Sequence, residues 1–210
     1  MLERRYEATM PRAKSKDISA GIISATVSLV SQESYSDVTL ERIADVAGQD
    51  ITDVRKVYET KEEVLHDAYR RGQKDMETRL REPITGDLNA HLEVLFDALM
   101  DSIKCWGPEQ YMGMLYWATK DPALQEMVMK ATGRVNFAVK AFLAEMVALR
   151  IVEQVDQVER VNREFVSSFI EGLAGTLEGK KVPAIKKAWV KRASGFLKPS
   201  PLTNIPARRK

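Results

Sequence analysis

Cysteine occurs once in the 210 residues, at Cys105, and histidine twice, at His66 and His91. One thiol cannot close an internal disulfide, and so few nitrogen and sulfur donors give no zinc-type ligand cluster. No apolar run approaches the ~18 residues that a membrane-spanning helix needs. The polar, basic start MLERRYEATMPRAKSKD has no apolar stretch of the kind that directs secretion. Together these absences predict a cytoplasmic chain that does not engage membranes. No Ser/His/Asp or Cys/His grouping can be assembled. The stretch GLAGTLEGKK (residues 172–181) fits neither nucleotide-loop fingerprint. Neither catalysis nor a cofactor is expected.

Strand-like alternation is also scarce, and glycine and proline fall where helices would end. The fold class expected is all-α, with about nine helices. A first helix over residues 16–31 places Ile18, Ile22, Ala25 and Leu29 on one stripe. Thr39 caps a second helix whose inner face is Ile43, Val46 and Ala47, and Gly48 stops it. Asp50 caps a short third helix with Val54, Val57 and Tyr58 as its apolar positions. Thr60 caps a long fourth. Pro83 and Gly86 mark a loop, beyond which Leu, Met, Phe and Trp become more frequent. A fifth helix spans 88–106, with Leu92, Leu95, Phe96, Leu99 and Ile103 inward, and Gly107-Pro108 breaks it. The sixth carries Tyr111, Met114, Leu115 and Trp117. Asp121-Pro122 opens a seventh that reaches about residue 150. The eighth spans 155–177, with Val158, Phe165, Phe169 and Leu177 inward. The ninth starts at Pro183 with Ile185, Trp189 and Phe196.

Charge is unevenly spread. Residues 179–210 hold ten basic side chains and no acidic one, a pattern that suits either a polyanion or a solubilising tail. The domain division expected is a basic arm with a three-helix unit over 1–62, a helical body over 63–198, and a flexible basic tail over 199–210.

Residues 39–65, TLERIADVAGQDITDVRKVYETKEEVL, carry the functional signal. Two short amphipathic helices joined by a glycine-containing turn form a helix-turn-helix. Ala47 must be small where the helices cross, and Gly48 must turn. Val54 and Tyr58, four apart, must point inward so that the residues between them face the major groove of duplex DNA. This stretch resembles the DNA-binding domain of the tetracycline-repressor (TetR) family, through Thr39, Ile43-Ala44, Ala47-Gly48, Tyr58, Thr60-Lys61-Glu62 and Leu65, in register over residues 16–66. It departs from the family pattern at Gln49, Thr52, Arg55 and Val57.

The resemblance implies that Thr39 and Lys61 touch phosphates and that residues 50–57 are the recognition helix. The DNA-contacting set expected is Thr39, Gln49, Ile51, Thr52, Asp53, Arg55, Lys56 and Lys61. Over residues 50–61 the charges cancel, so Arg4, Arg5, Arg12, Lys14 and Lys16 of the leading arm would supply the positive field. The resemblance further implies a homodimer on an inverted-repeat operator, whose C-terminal part binds a small molecule and loosens DNA. The expected lining for an apolar effector is Phe96, Met100, Trp106, Tyr111, Met114, Trp117 and Phe137, a stripe that by itself reads first as core, so that the pocket is what the resemblance implies. Phe165, Phe169, Gly172 and Trp189 are expected at a four-helix dimer contact. A repressor released by its ligand is the leading expectation. The competing one is a dimeric helical interaction protein of the same fold that has lost specific operator binding.

Overall fold

The computed structural model describes residues 12–201, with side chains from Ile18 onward. The expected contributions of the leading arm lie outside the described residues and side chains, as do residues 202–210 of the tail. Among the described residues nine α-helices follow one another: α1 Arg12–Gln32, α2 Leu40–Ala47, α3 Ile51–Arg55, α4 Lys61–Arg81, α5 Leu88–Ser102, α6 Pro108–Ala118, α7 Pro122–Ala148, α8 Val158–Leu177 and α9 Val182–Ser194. A single 3-10 turn, Tyr35–Asp37, precedes α2. None of these helices is long and apolar enough to cross a membrane.

Local chemistry starts most of them. The Thr39 hydroxyl accepts the Arg42 N–H, the Asp50 carboxylate accepts Thr52 N–H, and the Thr60 hydroxyl accepts Glu63 N–H. Each satisfies a donor that the helix itself leaves unpaired. Asp121 does the same for Ala123 and Leu124, with Pro122 in the first turn. At the end of α2, Gly48 takes φ +63°, its N–H reaches the Asp45 carbonyl, and Gln49 N–H reaches the Ala44 carbonyl. That is the six-to-one and five-to-two bonding of a Schellman stop, which needs a left-handed residue.

The helices pack around one continuous apolar core in which Ile22, Ile43, Val54, Leu65, Leu92 and Leu143 are almost wholly enclosed. Two helix crossings come to backbone distance. A Cβ on Gly72 of α4 would lie 2.2 Å from the Ser102 carbonyl oxygen at the end of α5, and one on Gly113 of α6 would lie 2.4 Å from the Ser31 carbonyl oxygen of α1. Only glycine permits so close an approach.

Several inward assignments are corrected. Val46 is 56% exposed, Leu177 62%, Val158 37% and Phe196 36%. A stripe of apolar residues tells that a face exists but not how far around the helix the neighbours reach. Val57 is exposed as well, one residue past the C-cap of α3. The fifth helix stops at Ser102, and Ile103 and Trp106 are buried in the turn that follows rather than on helix. The tail was expected to be mobile from residue 199. Instead Glu153 N–H bonds to the Lys198 carbonyl, Ser200 N–H bonds to the Ile151 carbonyl, and Val152 and Pro199 form an isolated antiparallel bridge. Residues 198–200 therefore seal the loop between α7 and α8.

Candidate nucleic-acid interface and the cleft behind it

The helix-turn-helix stands as the spacing requires. Val54 is fully enclosed and Tyr58 nearly so, while Thr52, Arg55 and Lys56 are exposed on the opposite side. The regular part of α3 is short, five residues against the expected eight, and its anchoring falls to tertiary contacts. Tyr58 supplies the main one. Its hydroxyl donates to Asp67 Oδ2 at 2.6 Å, and the same carboxylate accepts from Arg70 at 2.5 Å and from Arg71. Arg71 also donates to Ser19 Oγ on α1 at 2.8 Å. Burial alone would raise the Asp67 carboxyl, but the Tyr58 hydroxyl and the two guanidiniums outweigh it and hold the group below the usual carboxylate range. Burial, with Asp67 close by, pushes the Tyr58 phenol far up, so it stays a donor.

A second clamp holds the segment before α2. Lys61 Nζ donates to the carbonyls of Tyr35 (2.6 Å) and Val38 (2.9 Å) and lies 4.1 Å from the Tyr35 ring centroid. Tyr35 in turn donates to Glu62 at 2.8 Å. Lys61, expected at a phosphate, is thus engaged within the chain, where its ammonium closes the 3-10 turn. Neither clamp could be read from the sequence, because the contacts Tyr58–Asp67, Lys61–Val38, Lys61–Tyr35, Tyr35–Glu62 and Arg71–Ser19 span nine to fifty-two positions with no periodic link.

The outward cations are paired too. Arg55 donates to Glu41 at 2.7 Å, Lys56 to Asp53 at 2.7 Å, and Arg42 to Glu33 at 2.6 Å. The Arg55–Glu41 side chains are about 60% exposed, so the pair is worth no more than ~1 kcal/mol and phosphate can displace it. Thr39 is exposed, and its hydroxyl keeps its own proton for donation while capping α2. Gln49 and Ile51 are half-buried, Gln49 with its N–H on the Ala44 carbonyl at the turn and Ile51 packed on the core. Across residues 33–63 nine carboxylates face four cations.

Behind the head, between α4 and α7, lies a cleft of about 710 Å³. Its walls include Leu80, Phe137, Ala138, Ala141 and Phe142, with Arg134 held by the buried amide of Gln73 at 3.1 Å. Of the residues expected around an effector, Phe137 lines this cleft and is 75% exposed. Phe96, Trp106, Tyr111 and Met114 are buried core. Phe96 packs on Phe169 and Trp189 with ring centroids 5.5 and 5.6 Å apart, Trp106 packs on Tyr69 at 5.3 Å, and Met114 Sδ accepts from Tyr69. Burial pushes the Tyr111 phenol up to about 12. Met100 and Trp117 are half-buried against the same core.

The residues expected at a dimer contact also turn inward. Phe165, Phe169 and Trp189 are enclosed, and Trp189 Nε1 donates to the Phe165 carbonyl at 3.1 Å. A Cβ on Gly172 would meet Ile185 of α9 at 2.8 Å. These four therefore fasten α8 to α9 and α5 within one chain.

A helix-turn-helix head fused to a long-helix body defines a two-part, all-α class. Solved structures place this chain in the TetR-type fold. It resembles Salmonella enterica GusR with a TM-score of 0.68 and 13% identity, over 91% of this chain and 99% of that one. It also resembles a TetR transcription regulator from Haloarcula marismortui (0.62, 20%, 87% and 100%) and a TetR-family regulator from Marinobacter aquaeolei (0.63, 15%, 90% and 100%). No family model and no curated protein matches the sequence. At these identities the likeness establishes the fold.

Proposed function

We propose that the chain is a homodimeric, DNA-binding transcription regulator, a repressor that leaves an inverted-repeat operator when a small ligand enters its helical body. One observation carries the reading. Val54 and Tyr58 are buried while Thr52, Arg55 and Lys56 stand exposed between and beside them, the presentation that groove recognition demands. Thr52, Asp53, Arg55 and Lys56 address base edges, Arg55 toward guanine and Asp53 toward cytosine. Thr39 and the flanking backbone address phosphates. The effector site is the cleft with Phe137 on its wall, whose volume suits a small organic molecule. The two copies meet through the outer face of α8 and α9, where the exposed Glu171, Ala184 and Ala188 border a shallow groove that reaches the buried Ile185 and Trp189.

The excess of carboxylates around the recognition helix favours one other reading, an interaction protein of this fold without operator specificity. Capture of fragments from the source genome separates the two. Enrichment of one inverted repeat supports the regulator, and uniform, salt-sensitive retention of all fragments refutes it.

A further inference from the structure

The cleft between α4 and α7 has an asymmetry that bears on what it holds, and its use as an effector site rests on the reading above. Its cations are not equivalent. Arg81 pairs with Glu77 at 3.5 Å and Lys130 with Glu126 at 2.7 Å. Arg134 has no carboxylate within ion-pair distance among the described residues. Its contact is the Gln73 amide, a polar side chain 7% exposed that reaches out of the core to hold the guanidinium at the cleft wall. A buried neutral acceptor fixes the direction of the group while leaving its charge unmatched.

Arg134 also borders a second cleft of about 710 Å³, shared with Val57, Tyr58, His66, Arg70 and Arg71. The acids there are already engaged. Asp67 is bound by Tyr58, Arg70 and Arg71, and Glu63 accepts the Glu59 N–H at 2.7 Å. At the opposite end of the first cleft stands Glu145, eleven residues further along α7, or about 16 Å at ~1.5 Å per residue. The trough therefore has an apolar floor, Arg134 without an ion-pair partner at the end nearer the helix-turn-helix and Glu145 toward the other end, with the paired Glu77, Arg81 and Lys130 also on its walls.

We propose that the effector is an amphipathic organic anion, its acid head on the Arg134 guanidinium and its apolar body along Phe137, Ala138, Ala141 and Phe142. The head then lies beside Arg70 and Arg71. It competes with Asp67 for them, and Asp67 is the group that fixes Tyr58 at the foot of the recognition helix. Ligand binding and the loosening of that helix draw on the same two guanidiniums.

The test uses three probes of one chain length, decanoate, decanol and decyltrimethylammonium, titrated calorimetrically into the full chain and into Arg134→Gln and Arg134→Lys. Release of captured operator DNA is followed in parallel. Decanoate is expected to bind best to the wild-type protein, to weaken by about tenfold or more in Arg134→Gln, and to recover in part in Arg134→Lys. Decanol is expected to bind all three alike. Equal decanoate affinity for wild type and Arg134→Gln overturns the proposal, as does a preference for the ammonium. If decanol binds and releases DNA as well as decanoate does, the acid head is refuted and the effector reading survives. If no probe binds or releases DNA, both fall.

Discussion

Replacing Tyr58 with phenylalanine removes one hydroxyl and leaves the ring that packs at the foot of α3. The lost bond is a 2.6 Å donation to a carboxylate whose side chain is about 10% exposed. Hydrogen bonds to charged groups contribute about 1.5–3 kcal/mol net. Asp67 keeps Arg70 and Arg71, so the lower end, about 1.5–2 kcal/mol, is expected. For a chain of this size that lowers the melting temperature by about 3–8 °C. Tyr58→Ala also empties the ring's site and should cost about 3–5 kcal/mol. Crossing Tyr58→Phe with Asp67→Asn isolates the pair, because the two changes share one bond and should not add. The effect also has a pH signature. Asp67 has a depressed folded-state pKa, so its contribution is fully present above the unfolded value of ~3.9 and is lost as pH falls through the lower folded value. The deficit of Tyr58→Phe seen at neutral pH should therefore shrink in acid. Thermal melts of the four proteins across pH decide it. Additive mutants, or a deficit independent of pH, refute the anchoring role assigned to Asp67.

Gly72→Ala drives a Cβ into the Ser102 carbonyl and should destabilise the chain by about 1–3 kcal/mol, whereas Gly21→Ala on α1, where nothing lies within 4 Å, should stabilise it by about 0.5–1 kcal/mol; denaturant titration distinguishes them. Glu41→Gln releases Arg55 from an exposed pair and should raise DNA affinity by up to about fivefold, since the pair is worth no more than ~1 kcal/mol, while a melt should barely change. The Cys105 thiol is pushed up by burial, so it should react slowly with a thiol reagent at neutral pH and quickly once the chain is unfolded.

Legibility in the sequence followed the range of the interactions. Thr39, Gly48, Asp50, Thr60 and Asp121 act within four residues of themselves, and each was readable as a cap or stop. Val54 and Tyr58 were readable because a one-turn helix leaves few ways to bury both. Periodicity points Val46, Val158, Leu177 and Phe196 inward, yet each is exposed, because periodicity carries no information about where a neighbouring helix ends. Lys61 was assigned outward from its place in a motif, yet it reaches back to carbonyls twenty-three and twenty-six residues earlier. Arg134 offered no local sign at all. Its place in the proposal comes from Gln73, sixty-one residues away across the α4–α7 crossing, and from the absence, among the described residues, of a carboxylate at ion-pair distance.

Selection from a random pool of duplexes, run in parallel with the wild-type chain and with Arg55→Ala, tests operator recognition most directly. The expected outcome is one inverted repeat enriched by the wild type, with Arg55→Ala losing preference at a single base position per half-site at a cost of about 1–3 kcal/mol. A pool that stays random, or a motif unchanged by Arg55→Ala, would contradict the assignment of α3 as the element that reads DNA.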